Sequence, residues 1–352
     1  MKLKKIMLFP LLTVLLSGCI QFHIFDSISS RESSSESSLI TGDPVAKEEA
    51  NSRVLAAYQA NKVKDANIYA EDREYEIRKE QSIYANDELE VYVSDYYKFN
   101  TEFKATGLKS TAPQFYLKEF SNYQKIEDEY ETKFSGTNSK LYYENGWLYL
   151  DYDNYSRNGP GASTERTLFK EKENCGLLNA TQIEAIYDEK DYKDIYITAS
   201  QLLSRSEWLE KVQTVEALEN NGTLYVTYDL TKDDFINVYV AIRYDADLST
   251  MTSEEIANHE ILVATSTTYY HETIDFREYK LVLEVDPACY VSSLRLDFDY
   301  TENYDLTEEL SSFIVTQVDI AKGYYITRTT VNKPITMPVP DLEDYKDITS
   351  AS

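Results

Sequence analysis

Polar and apolar residues alternate along much of this chain, most clearly between Leu89 and Phe103. Successive side chains of a strand point to opposite faces, so this run predicts a long strand with one buried face. Tyr92 and Tyr96 interrupt its polar set. The apolar positions are Leu89, Val91, Val93, Tyr97, Phe99 and Phe103.

Turn residues divide the remaining alternating segments. Asn145-Gly146 between Leu141-Tyr142-Tyr143 and Trp147–Leu150 predicts a tight hairpin within a set of antiparallel strands over residues 68–152. Further strands are predicted at Val212–Glu219, Thr223–Leu230, Phe235–Tyr244, Tyr279–Val285, Tyr290–Tyr300, Phe313–Ile320 and Tyr324–Val331. His271 falls in a further predicted strand.

Helix signals are fewer. Asp43 as N-cap and Pro44 at the first helical position predict a helix that ends near Lys64. Capping boxes and apolar spacing predict helices at residues 181–188, 204–213 and 253–258. The prolines of Lys333–Asp347 exclude this segment from a central strand and predict a path along an edge or the surface.

The N-terminus has the pattern of an export signal. Three lysines precede the apolar stretch Ile6–Leu16, which is too short to cross a bilayer core of about 30 Å. The serine-dominated run Ser27–Ser38 predicts a disordered tether, because it cannot bury enough apolar area to offset its ordering entropy.

The run Leu16-Ser17-Gly18-Cys19 resembles the lipobox of bacterial lipoproteins. That resemblance implies cleavage before Cys19, a diacylglyceryl group such as one bearing palmitate on its thiol, and anchoring at the outer face of the cell membrane. The alternative is an ordinary secretory signal with an incidental cysteine. The expected organisation is a signal peptide (1–18), a lipidated tether (19–43), one β-rich domain (44–341) and a tail (342–352).

The body resembles the LolA/LppX-type lipoproteins and related Gram-positive surface lipoproteins. The lipobox, the hairpin Leu141–Tyr149 and the ending Ile335-Thr336-Met337-Pro338 carry this resemblance. It implies an α+β fold in which a large curved antiparallel sheet, a half-barrel, has a few helices packed on its concave side.

The net charge limits the molecules that the protein can bind, and the cysteines limit its possible disulfides. A net charge of −26 repels phosphates, so we expect no nucleic acid partner and a body that stands off anionic headgroups. Cys175 and Cys289 can form a disulfide outside the cytosol or remain separate apolar residues.

No motif predicts catalysis or a cofactor. The sequence has no phosphate-binding loop, nucleophile elbow or zinc-protease motif, and its histidines are His23, His259 and His271. Asp297 and Asp299 share a strand face, where they can bind a cation, act as an acid–base pair, or form a solvated face screened by Arg295. Asp151 and Asp153 begin a calcium-loop pattern that Tyr155 and Ser156 break.

Two functions follow as hypotheses. In the first, the apolar positions of Leu89–Phe103 line a hollow sheet, and the protein is a non-enzymatic, membrane-anchored carrier of a lipid or other hydrophobic ligand. The same positions can equally belong to a filled core. In the second, a tyrosine-rich acidic surface contacts a protein or polysaccharide, with Tyr92, Tyr96, Tyr149 and Tyr155 as candidates. The sequence identifies no particular protein partner.

Overall fold

The computed structural model describes residues 41–128, 130–187, 197–306, 314–339 and 341–349. Cys19 and the predicted tether up to Ile40 lie outside these residues. Within the described residues, thirteen strands form one sheet, and the helices pack on one of its faces. The architecture is mostly sheet, so the expected class α+β describes it only loosely.

The strands and helices are numbered in chain order. The strands are β1 Asp43–Pro44, β2 Ile68–Ala85, β3 Glu88–Thr106, β4 Gln114–Glu127, β5 Tyr130–Glu144, β6 Trp147–Asn158, β7 Glu165–Asn174, β8 Val215–Asn220, β9 Thr223–Asp229, β10 Ile274–Val285, β11 Val291–Asp305, β12 Val315–Val331 and β13 Lys346–Asp347. The helices are α1 Lys47–Ala60, α2 Ala180–Tyr187, α3 Ala199–Leu202, α4 Ser206–Glu210, α5 Lys232–Arg243 and α6 Ser253–Thr273, with 3-10 turns at Val63–Asp65 and Leu248–Thr250.

The sheet is curved and does not close. Its strand order is β1-β8-β9-β10-β11-β12-β2-β3-β4-β5-β6-β7-β13, so β12 lies between β11 and β2 and joins strands β8–β11 to strands β2–β7. All neighbouring pairs are antiparallel except β7 and β13. The two-residue strands β1 and β13 lie at the opposite edges, so the C-terminal segment follows an edge, as its prolines predict.

The clearest predicted strand and hairpin are confirmed. Leu89–Phe103 lies within β3. Asn145 and Gly146 join β5 to β6 with φ values of 52° and 84°. Positive φ at both central residues is the conformation of the hairpin turn that Asn-Gly favours.

The prediction of a strand at Phe235–Tyr244 is wrong, because these residues belong to α5 and the cap Tyr244. Thr231 and Asp234 form a capping box that starts this helix, and Phe235 and Tyr239 are buried at helical spacing. A segment with apolar residues at most positions fits both periods, and the cap was the signal that distinguished them.

The helix predicted at 253–258 continues for 21 residues to Thr273. His271 therefore lies in a helix and not in a strand. Only Ser266 and Tyr270 of α6 are buried, so the helix has almost no apolar stripe for a sequence pattern to display.

Other boundaries also differ. The first helix starts at Lys47, because Asp43 and Pro44 form β1 instead of its cap. The helix predicted at 204–213 is shorter and corresponds to α4, Ser206–Glu210. The strand predicted from Val212 starts at Val215, as β8. The two strands predicted on either side of Gly323 are one strand, β12, while Phe313 lies outside the described residues.

Two hydrophobic cores lie on the helix-side face, which is the sheet face that carries Phe103. One core packs α1, α3, α4 and α5 against β8–β12. The other packs α2 and the turn Val63–Asp65 against β3–β6. The opposite face, here called the open face, carries mainly polar and charged residues. The boundary between the two cores is where the candidate site lies.

Candidate functional site

A cavity of about 420 Å³ lies between the two cores. Residues of β2, β11 and β12 form its sheet side, and the end of α1, the following turn, α2 and α3 form its helix side. The volume falls within the roughly 300–1,000 Å³ that small-molecule sites occupy. Its apolar wall includes Ile77, Leu203, Val291, Leu294, Leu296 and Phe298.

Strand register places this wall on one face. Leu294 and Leu296 alternate on β11 and lie opposite Thr327 and Tyr325 of β12. Thr327 in turn lies opposite Arg73 of β2. Because paired residues share a face, apolar side chains of β11 and polar side chains of β2 and β12 meet in one cavity.

A buried ion pair forms the polar part of the cavity. Glu71 and Arg73 lie two apart on β2 and are 7% and 9% exposed. Nε and Nη2 of Arg73 donate to Oε1 of Glu71 over 3.0 and 2.9 Å. Tyr187 of α2 donates to the same oxygen over 2.5 Å, and Tyr69 donates to Oε2 over 2.6 Å. The carboxylate thus has a partner on each oxygen.

These contacts set the ionisation of the pair. Burial raises the pKa of Glu71, but the charge of Arg73 and the hydrogen bonds from Tyr187 and Tyr69 outweigh it and leave the pKa below its ordinary value. Burial, together with the charge of Glu71, raises the pKa of the Tyr187 hydroxyl well above its usual value. Glu71 is therefore a carboxylate, and Tyr187 is a neutral donor to it.

Two cationic side chains of the cavity retain free donors. Nη1 of Arg73 has no acceptor among the described residues, since Nε and Nη2 make its hydrogen bonds. Lys62 also lines the cavity and is half-buried, and within the described part of the chain it has no ion-pair partner. The remaining charged residue of the wall, Glu184, is paired with Lys64 at 3.4 Å.

The six positions predicted to line a ligand are distributed along β3. Phe99 and Phe103 are buried in packed side chains, where Phe99 stacks on Tyr75 at 5.0 Å and Phe103 on Tyr187 at 4.1 Å between ring centroids. Tyr97 packs against Tyr123.

Leu89 and Val91, by contrast, are 55% and 37% exposed at the far end of the strand. Val93 lines a second cavity of about 280 Å³. None of the six lines the 420 Å³ cavity.

That second cavity contains a buried carboxyl group. Glu302 of β11 is 2% exposed, and its Oε2 has no hydrogen-bond partner. Burial and the neighbouring charge of Asp319 raise the pKa of Glu302 to about 6. Asp95 and Lys79 also line this cavity. Across the described residues, no group of three or more His, Cys, Asp or Glu side chains is arranged to hold a metal ion.

The aspartates that lie two residues apart in the sequence are on the open face, and basic side chains bind them. Asp297 accepts two hydrogen bonds of 2.6 Å from Arg295, and Asp299 accepts one of 2.6 Å from Arg277. This is the solvated, screened arrangement and not a cation site. Asp153 likewise accepts two hydrogen bonds from Arg166.

The histidines and cysteines do not gather at the cavity. Nε2 of His259 donates to the Tyr244 carbonyl over 2.7 Å, and His271 lies 3.7 Å from Asp233 on the surface, while His23 is outside the described residues. Cys175 is half-buried, Cys289 is exposed, and both are free thiols.

Comparison with known proteins identifies no family. No protein-family model and no curated protein matches the chain. Among solved structures, the crystal structure of the outer membrane protein OprG from Pseudomonas aeruginosa is similar over 76% of this chain and 97% of that one, with 6% identity and a TM-score of 0.16. We infer neither fold nor function from a likeness at that level. In the described part of the chain, every helix is too short or too polar to cross a membrane.

Sequence reasoning missed the residues that make the cavity polar. Tyr69, Glu71, Arg73, Tyr75 and Ile77 occupy alternate positions of β2 and share the helix-side face. A carboxylate and a guanidinium two residues apart on an otherwise apolar face are the signal that could have found the site, since a charge on such a face needs a partner.

Proposed function

We propose that this protein is an exported lipoprotein that binds one lipid or other hydrophobic molecule, without catalysis, in the 420 Å³ cavity. The observation that carries the proposal is the composition of that cavity. Leu294, Leu296 and Phe298 form an apolar wall, and the buried pair Glu71–Arg73 lies beside it. Such a cavity suits an amphiphile, whose apolar part leaves water while its polar part keeps hydrogen bonds.

Binding would occur by partition. A ligand that leaves a bilayer for this cavity exchanges one apolar environment for another, so little free energy is needed for transfer. The proposal places the body near that bilayer through a diacylglyceryl anchor on Cys19 and the flexible tether after it. Two acyl chains suffice for stable anchoring, because each buried CH₂ contributes roughly 0.8 kcal/mol.

We further propose that the body is a half-barrel of the LolA/LppX type. A curved, unclosed antiparallel sheet with helices on one face supports this assignment. The cavity between the sheet and α1, α2 and α3 is then the remaining open part of a half-barrel that the two cores otherwise fill.

A second candidate is a surface module that contacts a protein or polysaccharide. Strand register favours it, because Tyr92, Tyr96, Tyr149 and Tyr155 all lie on the open face and are half-buried. Aromatic rings held on a rigid sheet form binding surfaces at small entropic cost. This function would leave the cavity unused.

The discriminating experiment is extraction of the full-length protein from membranes under native conditions, followed by mass spectrometry of released small molecules. Ser200→Phe places a ring in the cavity wall, and Ser253→Phe makes the same change in the first turn of the exposed helix α6. The proposal predicts a stoichiometric ligand in the wild type and Ser253→Phe, and its loss in Ser200→Phe.

A wild-type protein that carries no small molecule, and that instead retains a stable protein or polysaccharide partner, would contradict the carrier function. Substitution of Tyr149 and Tyr155 by serine would then release that partner if the second candidate holds.

A further inference from the structure

From the donors left free in the cavity, we infer that its ligand carries an anionic headgroup, a carboxylate or a phosphate, bound by Arg73 and Lys62. This inference rests on the proposed function and specifies the chemistry of its ligand. The apolar wall of the cavity does not determine the polar part of the ligand, whereas the free donors do.

Arg73 is the first reason. A guanidinium has five N–H donors in a rigid fork, and here Nε and Nη2 both donate to one oxygen of Glu71. The side chain is 9% exposed and forms part of the cavity wall, yet Nη1 has no acceptor among the described residues. Nη1 is not one of the fully buried atoms that lack a partner, so it is accessible from the cavity, where an acceptor on the ligand can replace water with a charge-assisted hydrogen bond.

Glu71 does not supply that acceptor and does not repel the ligand strongly. Oε1 accepts from Arg73 and Tyr187, and Oε2 accepts from Tyr69 and, at 3.5 Å, from Thr329. Its charge is thus matched by donors on every side. Arg73 can therefore act towards the cavity as a donor whose own charge is already balanced by a fixed partner.

Lys62 is the second reason. Its side chain lines the same cavity from the segment after α1, and it makes no ion pair in the described part of the chain. The protein has a net charge of −26, so carboxylates are abundant, and most of the basic side chains named above form an ion pair with one. Lys62 differs from them in this respect. A lysine that remains free in the wall of the cavity provides the countercharge for an incoming anion.

A neutral hydrophobic ligand would explain neither feature. It would leave Nη1 of Arg73 without an acceptor in a drier cavity and would give Lys62 no role. With an anionic amphiphile, the headgroup meets Arg73 and Lys62, and the chain covers Leu294 and Leu296. The hydroxyl of Thr327, which lies opposite Arg73 and lines the cavity, can add a further donor.

The test uses the full-length protein in membranes of the cells that produce it. A dodecanoate bearing a photoreactive diazirine is cross-linked to the protein, and unlabelled dodecanoate, dodecyl phosphate and dodecanol compete. We expect one or both acids to halve labelling at a concentration about tenfold below that of the alcohol, the effect of roughly one charge-assisted hydrogen bond. The two acids, compared with each other, distinguish the carboxylate from the phosphate.

Three variants assign the effect. Lys62→Met and Arg73→Lys should each raise the half-effect concentration of the acid about tenfold and leave that of the alcohol unchanged. Arg295→Lys is the matched control, because Arg295 makes the same two-residue-apart ion pair on the open face. It should change nothing. If Arg73→Lys does not accumulate, Lys62→Met decides alone, since its half-buried side chain has no structural partner among the described residues.

The outcomes separate the two proposals. Equal displacement by both acids and the alcohol would overturn the anionic headgroup and leave the carrier function standing. Labelling that no competitor saturates, in the wild type as in Ser200→Phe, would overturn both.

Discussion

Gly323 of β12 lies so close to the backbone of Glu76 in β2 that no side chain fits between them. A Cβ atom at position 323 would collide with the Glu76 carbonyl oxygen and would lie 2.9 Å from Cα of Ile77. Neither atom belongs to a flexible side chain, so the backbones themselves would have to separate. β2 and β12 are the strands that join the two halves of the sheet, and both contribute to the cavity.

Gly323→Ala is therefore expected to destabilise the protein by about 1–3 kcal/mol, the usual effect of forcing extra atoms into a packed position. Urea unfolding measures this loss. Lys322→Ala is the control, because it introduces the same side chain one residue away on the open face. Equal stability of the two variants would show that the close approach of β2 and β12 is absent.

The buried pair Glu71–Arg73 should respond differently from its counterpart on the open face. Arg73→Met leaves the Glu71 carboxylate buried without its cation and should destabilise the protein by about 3–5 kcal/mol. Arg295→Met removes the partner of a more exposed Asp297 and should lose about 0–1 kcal/mol. Similar unfolding midpoints for the two variants would contradict the burial of the first pair.

Glu302 should make the protein less stable as the pH rises. Its pKa is about 6 in the folded state, against an ordinary value of 4.5, so the folded state holds this proton more tightly. The resulting stabilisation is complete below about pH 4.5 and is lost as the pH rises through about 6.

At pH 7, Glu302→Gln should consequently be more stable than the wild type by about 2 kcal/mol, because each pKa unit corresponds to about 1.4 kcal/mol. Unfolding free energies of both proteins between pH 4 and pH 8 test this. If the difference in unfolding free energy between the two proteins stays constant over this pH range, the pKa of Glu302 is not raised by folding.

The two thiols should react at very different rates. Burial raises the pKa of Cys175 to about 11, whereas Cys289 is exposed in the turn between β10 and β11. Since the thiolate is the reactive form, iodoacetamide at pH 8 should modify Cys289 first, and peptide mass spectrometry would show the order. Recovery of a Cys175–Cys289 disulfide from native protein would contradict the free thiols of this structure.

The sequence predicted a turn best where its residues alone determine the backbone conformation. The β5–β6 hairpin was predictable because Asn145 and Gly146 both tolerate positive φ. α5 was not, because the apolar residues around Phe235 are buried by tertiary packing on both helical and alternating positions. The pattern alone therefore did not distinguish the two periods.

The candidate site was harder to predict than the fold. The apolar face of β3 was identified, but whether a residue on that face packs or lines a cavity depends on where the helices lie across it. Phe103 is covered by Tyr187, whereas Arg73 on the neighbouring strand β2 lines the cavity. Tyr187 reaches Glu71 across 116 residues of sequence, and no local pattern records that contact.

Native mass spectrometry of the intact full-length protein, released from membranes, tests the central claim most directly. We predict a one-to-one adduct of a single small amphiphile on the wild type and on Ser253→Phe, and the bare protein mass for Ser200→Phe. Bare mass for all three proteins, or an adduct that Ser200→Phe retains in full, would contradict a ligand in this cavity.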